Sequence, residues 1–225
     1  MEVMITAMYA RTIARMAQIW LPIAAILSIS VVVFGVRDAF NSFWLFTLAC
    51  WAALDCYWAI GAGDEGMSSP GKRSISTAIL AWTPYALYCL PLSSVPILGQ
   101  RFVPNFVALQ FAGATICALG VGFSIWARRT LANNWNATVM RDDHQALVQH
   151  GPYAVVRHPI YMGFLAAMFG MFLVLGEVRA AIFAAGGLDV LMKKMKREDE
   201  ILLAAFPNEY PPYQQRVARL FPWIW

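Results

Sequence analysis

Arg157 and His158 stand directly before Pro159, and Tyr161 and Gly163 follow within the next turn. A guanidinium, an imidazole and a phenol so close together can hold an anion, share a proton and present an aromatic face. Proline at the first position of a helix loses no needed hydrogen bond, and the open amides of that turn favour an anionic group. The residues that follow are apolar to about position 190, so these polar groups guard the mouth of a membrane helix. Charge and polarity there are costly unless something uses them. Further along, Lys193, Lys194, Lys196 and Arg197 crowd around Glu198 and Glu200. A solvated charge network is the plain alternative for that cluster.

The elements that must position these residues are membrane helices. The chain has 225 residues, 60% of them hydrophobic and 13% charged, with a mean hydropathy of +0.55. That composition excludes an ordinary soluble domain. Apolar stretches at 16–36, 40–62, 74–98 and 102–127 predict four spans. A fifth apolar region, 159–190, is broken at Gly176-Glu177-Val178-Arg179, which predicts a helical hairpin tip or a re-entrant turn. Arg11 and Arg15 before the first stretch imitate a signal peptide, but that stretch is too long and lacks a small-residue cleavage site. The expected fold is therefore all-α: a polytopic transmembrane helical protein with four spans and a C-terminal helical hairpin, whose flanking cytoplasmic segments could build a compact site on the inner membrane face. Residues 1–127 hold the four spans, and 128–225 the cytoplasmic loop, the membrane hairpin and the cytoplasmic C-terminal segment. Pro84 and Pro91 predict a kink in the third span. Gly113, Gly120 and Gly122 in the fourth would let another helix approach closely.

Charge sets the expected orientation. With the N-terminus inside, fourteen of the seventeen Lys and Arg residues fall on the cytoplasmic side, and only Arg37, Arg101 and Arg179 outside. Both termini and the site then face the cytoplasm. The net charge of +4 is a topology signal, and no basic run with interleaved aromatics argues for nucleic acid. Cys50, Cys56, Cys89 and Cys117 all fall in expected spans without metal-ligand spacing, so they read as reduced core residues, and a zinc site is not expected. His144 and His150 read as surface residues, and Tyr210 and Tyr213 as packing residues that close the C-terminal segment.

Asn134-Trp135-Asn136, Leu147-Val148 with Gly151-Pro152-Tyr153, and Arg157-His158-Pro159-x-Tyr161-x-Gly163 occur in that order. Glu198-Asp199, Leu202-Leu203, Phe206 and Glu209-Tyr210-x-x-Tyr213-x-x-Arg216 follow. This series, over about 118–222, resembles the isoprenylcysteine carboxyl methyltransferase superfamily. The resemblance implies an integral membrane methyltransferase using S-adenosylmethionine, with S-adenosylhomocysteine as product, and makes 128–225 its catalytic region, with a cytoplasmic cofactor pocket. Its acceptor would be a lipophilic or prenylated molecule, reached from among membrane lipid. Carried over position by position, the cofactor contacts are Gln145, Ala146, Leu147, Val148, Tyr153, His158, Pro159, Ile160, Tyr161 and Glu198, and Trp135 and Gly163 are counted with them. The family usually has arginine where this chain has Lys194, and a Phe-Gly pair where it has Phe206-Pro207.

Methyl transfer from a sulfonium is an in-line displacement, so positioning and exclusion of water carry most of the catalysis. Arg157 or the amides near Pro159 suit the donor's carboxylate, and Glu198 its ammonium or a hydroxyl. Tyr153, Tyr161 and Trp135 offer faces to the adenine or the cationic sulfur. A carboxylate acceptor needs no base, only a cation such as Lys194, Arg197 or Arg128. A thiol, amine or hydroxyl acceptor would need a base, and His158 is then the first candidate. Arg157, His158 and Lys194 are thus the expected catalytic set, with Arg128, Lys194 and Arg197 toward the substrate. Two other classes compete. One is a sterol-reductase-like enzyme using NADPH, against which stands the lack of a basic cluster plainly set aside for a 2′-phosphate. The other is a non-catalytic membrane scaffold, against which stands the full set of site residues.

Overall fold

The computed structural model describes residues 42–64, 95–131 and 146–222, with side chains only to Trp58 in the first of these stretches. The first expected span, the third up to residue 94, and Cys89, Trp135, His144 and Gln145 lie outside the described residues. Among the described residues the elements are α1 (Ser42–Asp64), α2 (Val107–Leu131), a 3-10 turn (Gly151–Ala154), α3 (Pro159–Leu175), α4 (Val178–Ala205) and α5 (Tyr210–Arg216). Extended pairing among them is confined to two isolated bridges, Arg101 with Glu177 and Val156 with Ala218. The all-helical expectation holds for these residues. Of them, α2 is the one helix long and apolar enough to cross a membrane, and α3 is a shorter apolar helix.

The chain divides into two compact units. In the first, made from described residues 42–64, 95–114 and 171–183, α1 buries Thr47, Leu48, Trp51 and Leu54. Their three-to-four-residue spacing is one helical face. The expected fourth span, 102–127, starts later than its apolar run implies. The amides of Phe102 and Val103 are spent on the Gly176 carbonyl, at 3.0 and 3.2 Å, and Pro104 brings no amide, so helix α2 begins at Val107.

The break at 176–179 is a hairpin tip. Gly176 has φ 64°, and its amide donates 2.7 Å to the Phe172 carbonyl, the left-handed stop that ends α3. The Arg101 guanidinium donates to the carbonyls of Leu175 (2.7 Å), Val174 (3.4 Å) and Val103 (3.1 Å). A cation here offsets the negative end of the helix dipole. Buried Arg179 pairs with Glu177 at 2.6 Å.

The second unit comprises described residues 115–131, 146–170 and 184–222. Helices α2 and α3 meet here backbone to backbone. A Cβ on Gly120 would stand 2.5 Å from the Gly163 carbonyl oxygen and 2.6 Å from the Ala167 nitrogen, and one on Gly163 would meet Ser124. Ser124 donates 3.1 Å to the Ile160 carbonyl across the same contact. Small residues permit this approach, as expected for Gly120, whereas Gly122 faces open space. Helix α4 buries Gly187, Leu191, Met195 and Asp199 at four-residue intervals, so its one buried stripe ends on a carboxylate. The chain then turns at Phe206 into α5, whose first turn carries Pro211 and Pro212.

Candidate functional site

The site begins where α3 begins. Before Pro159, the Arg157 amide donates to the Ala218 carbonyl (2.8 Å) and the His158 amide to that of Arg219 (3.1 Å). These two bonds hold the motif against the C-terminal segment. The Arg157 guanidinium follows the same direction. It donates from Nη1 to the carbonyls of Gln214 and Val217, both at 2.8 Å, and Nη2 stands 3.8 Å from Asp199. Its side chain is therefore engaged with α5 and the residue beyond it.

His158 is buried between two carboxylates from adjacent positions on α4. Its Nε2 lies 2.9 Å from Asp199 Oδ1, and its Nδ1 lies 3.6 Å from Glu198 Oε2. Tyr161, one turn into α3, donates its hydroxyl to Glu198 and stacks on the His158 ring, with centroids 5.8 Å apart and planes 27° apart. Lys194, one turn before Glu198, holds its ammonium 5.8 Å from the centre of the Tyr161 ring. Asp199 is the most heavily bonded group. It accepts from Tyr210 and His158 on Oδ1, and from Arg219 Nε (2.9 Å) and Nη2 (2.8 Å) on Oδ2.

The electrostatics follow from this packing. Burial disfavours a charged imidazole, but the hydrogen bond with Asp199, the close approach of Glu198 and the charges of both outweigh it and raise the His158 pKa above its ordinary 6.5. Burial also disfavours the Asp199 carboxylate. The bonds from His158 and Tyr210, with the charges of His158 and Arg157, prevail and lower it to about 2. The pairing thus favours the charged form of His158 and holds Asp199 as an anion at neutral pH. Tyr153 and Tyr210 are both pushed well above the usual phenol range, first by burial and then by Tyr213 and Glu198 at Tyr153 and by the hydrogen bond to Asp199 at Tyr210. The two ring nitrogens of His158 face different carboxylates, and among the described residues no group of three His, Cys, Asp or Glu is arranged to hold a metal ion.

The remaining candidates fall into two sets. Tyr153 packs with Val148 and Ala127, bordered by Leu131 and Ile160, and feels the charge of buried Arg128. Its carbonyl accepts 2.7 Å from the Tyr213 hydroxyl. Leu147 is half-buried beside Val148, Pro159 is buried, and Gly163 forms the α2 contact. Ala146 is exposed, and so is Arg197, on the far side of α4 from Leu191, Met195 and Asp199. The structure therefore gathers His158, Tyr161, Lys194 and Glu198, and leaves Arg197 in solvent. It adds Asp199, Tyr210 and Arg219, which the motif reading left without a site role. A signal for Asp199 exists in the sequence. It continues the apolar stripe of α4, and a carboxylate on a buried face must be paired.

Comparison with known proteins adds an independent line. A family model described as the isoprenylcysteine carboxyl methyltransferase (ICMT) family matches residues 113–204. The chain is 29% identical over 119 residues to a protein-S-isoprenylcysteine O-methyltransferase of Tribolium castaneum, covering 52% of this chain and 42% of that one. A Dictyostelium discoideum protein of the same name is 25% identical over 165 residues, covering 70% and 69%. Methanethiol S-methyltransferase 1 of Bradyrhizobium diazoefficiens is 36% identical over 72 residues, covering 32% and 24%. The match thus spans less than half the length of the Tribolium relative. Among solved structures, the eukaryotic intramembrane Ras methyltransferase ICMT aligns with a TM-score of 0.53 at 20% identity, over 90% of this chain and 74% of that one. At that identity the likeness is one of fold.

Proposed function

We propose, from the match of residues 113–204 to the isoprenylcysteine carboxyl methyltransferase family, that this protein belongs to that family and is an integral membrane methyltransferase. It transfers a methyl group from S-adenosylmethionine to a lipophilic acceptor, of which a prenylated cysteine carboxylate fits best. The observation that carries the reading is the buried His158, flanked by Glu198 and Asp199 at the start of an apolar helix. Membrane residence is supported by α2 and by its exposed Phe111, Leu119 and Trp126. In this reading α3 and the first half of α4 lie in the membrane, and the charged second half of α4 lies outside it.

The residues fit the donor. Glu198 is about one-third exposed and is oriented by both His158 and Tyr161, so its carboxylate suits an ammonium. The first-turn amides of α3 suit a carboxylate. Tyr161 offers an aromatic ring to a cation. When bound, S-adenosylmethionine supplies an electrophilic methyl group on sulfur. The chain's own part is orientation and exclusion of water.

The two carboxylates beside His158 favour its protonated form, which suits it to donating hydrogen bonds more than to removing a proton. That favours an acceptor ionised before it arrives, as a carboxylate is. Lys194, half-buried beside Tyr161, suits the cation that orients such an acceptor. Arg197 is solvated and Arg128 is buried near Tyr153, which leaves Lys194 as the best-supported substrate residue. The second reading, a small thiol acceptor, is favoured by the higher local identity to a methanethiol S-methyltransferase. Calorimetry of S-adenosylmethionine on detergent-purified protein, followed by transfer to a prenylated cysteine derivative and to methanethiol, tests both. Saturable binding with transfer to the prenylated carboxylate supports the first reading. Transfer only to the thiol replaces it with the second, and no binding by folded protein removes both.

A further inference from the structure

We propose that Asp199 is a positioning residue, through which the C-terminal segment sets the orientation of His158 and hence of Glu198. The argument starts from hydrogen-bond inventory. An ionised carboxylate accepts and never donates, so Asp199 requires the proton of His158 on Nε2. The ring is then fixed in rotation, and Nδ1 is directed toward Glu198 Oε2 at 3.6 Å. Tyr161 holds the other Glu198 oxygen. Glu198 is therefore aligned from two sides, and one of them depends on Asp199 at second hand.

Asp199 is itself held from the other direction. Tyr210 reaches the same Oδ1 that His158 uses, while Arg219 takes Oδ2 through two nitrogens and Arg157 stands 3.8 Å from it. Tyr210 and Arg219 lie after the end of α4, so the fold of 206–220 reaches His158 through this carboxylate, beside the bonds that residues 157 and 158 make to 214–219. The charged groups facing the His158 ring are Glu198 and Asp199 of α4. Arg157 and Arg219 act behind Asp199, and Lys194 stands over the neighbouring Tyr161. A buried carboxylate with this many specific donors is more than one ion pair requires. Each donor restricts one further direction of motion.

The test uses the full chain in detergent with nitrogen-15 in its three histidines, and His158→Gln to assign the His158 signals. Wild type should show His158 with both ring nitrogens protonated at pH 7. Asp199→Asn keeps the shape and one accepting oxygen but loses the charge. It should move the His158 signals toward a neutral tautomer while those of His144 and His150 stay in place. S-adenosylhomocysteine, the probe ligand, should bind roughly tenfold more weakly, the worth of one charge-assisted hydrogen bond. Tyr210→Phe and Arg219→Gln should shift the same His158 signals by less, and they decide the matter if Asp199→Asn fails to fold. Unmoved His158 signals in the folded variants overturn the proposal. The ligand arm alone rests on the proposed function. Moved signals in the variants, with a folded wild type that does not bind S-adenosylhomocysteine, would remove that function and leave the positioning role standing.

Discussion

At the hairpin tip, Arg101 spends its guanidinium on three main-chain carbonyls, and Arg179 and Glu177 close on each other. Around Asp199 the charges behave otherwise. Arg157, Arg219, Tyr210 and His158 converge on one carboxylate, and the chain of contacts runs on through His158 to Glu198, which is still partly exposed. Both regions bury ions near an end of α3. In the tip the charges are paired locally, which ends a helix and turns the chain. In the Asp199 cluster they are paired on one side only, and the open side carries an acid and a nearby ammonium. Buried charge by itself therefore does not mark a site. An oriented charge left partly exposed does.

The strongest way to break this contrast is to remove the central ring. His158→Ala should lower methyl transfer by about 10²–10³-fold, since it releases Glu198 and leaves Asp199 without its buried partner. Initial rates of S-adenosylhomocysteine formation check it, and a loss under tenfold would place His158 among packing residues. The converse variant at the tip is Arg179→Ala. It leaves Glu177 without its ion partner and should cost about 3–5 kcal/mol of stability. Cofactor affinity of the protein that remains folded should not change, as denaturant titration and calorimetry together would reveal.

Two glycine variants sharpen the comparison at smaller scale. Gly120→Ala should destabilise by about 1–3 kcal/mol, because backbone atoms at 2.5 and 2.6 Å leave the methyl no room without a shift of α3. Gly176→Ala should cost about 1–2 kcal/mol for its positive φ, with Arg101 and Val103 already at 3.0 Å. Thermal midpoints measure both, and a neutral Gly120→Ala would mean the α2–α3 contact is looser than described.

The pH dependence should also belong to the Asp199 cluster. His158 has a raised pKa, so its contribution to stability is complete below pH 6.5 and is lost as pH rises through the folded value. Asp199 is lowered from 3.8 to about 2, so its contribution is complete above pH 3.8 and is lost as pH falls toward 2. Both are present between those limits. A melting series from pH 3 to 9 should fall away on both sides for wild type and lose its alkaline arm in His158→Gln. The smallest effect expected is at Arg197→Ala, an exposed cation whose removal should leave acceptor KM within about twofold.

Much of the local structure was legible in the residues. The break at Gly176 was visible because an apolar run is interrupted by a glycine and two opposite charges, and such residues cannot continue a span. Gly120 was legible as a close-approach position, but Gly122 was indistinguishable from it, because spacing alone does not say which face meets a neighbour. The apolar run from 102 overstates the length of α2, because Phe102 and Val103 are apolar enough to extend a helix. Their amides instead bond a residue more than seventy positions away. Around the site, His158, Tyr161 and Glu198 were found as a motif, while Asp199 and its partners were not assembled. The partners lie 41, 20 and 11 positions from it, and no local pattern encodes that meeting.

Composition, hydropathy and motif order by themselves determined an all-helical, strongly apolar chain with a polar motif at a helix mouth, because periodicity and helix-end chemistry are properties of neighbouring residues. Only the tertiary structure decided which charges are consumed and which are left to act. Arg157 turned toward the main chain, Arg197 toward solvent and Lys194 toward Tyr161, and that choice depends on which backbone arrives beside each side chain. The buried carboxylate of Asp199 depends on the same arrival. An ion leaves water only where folding brings its partners to it.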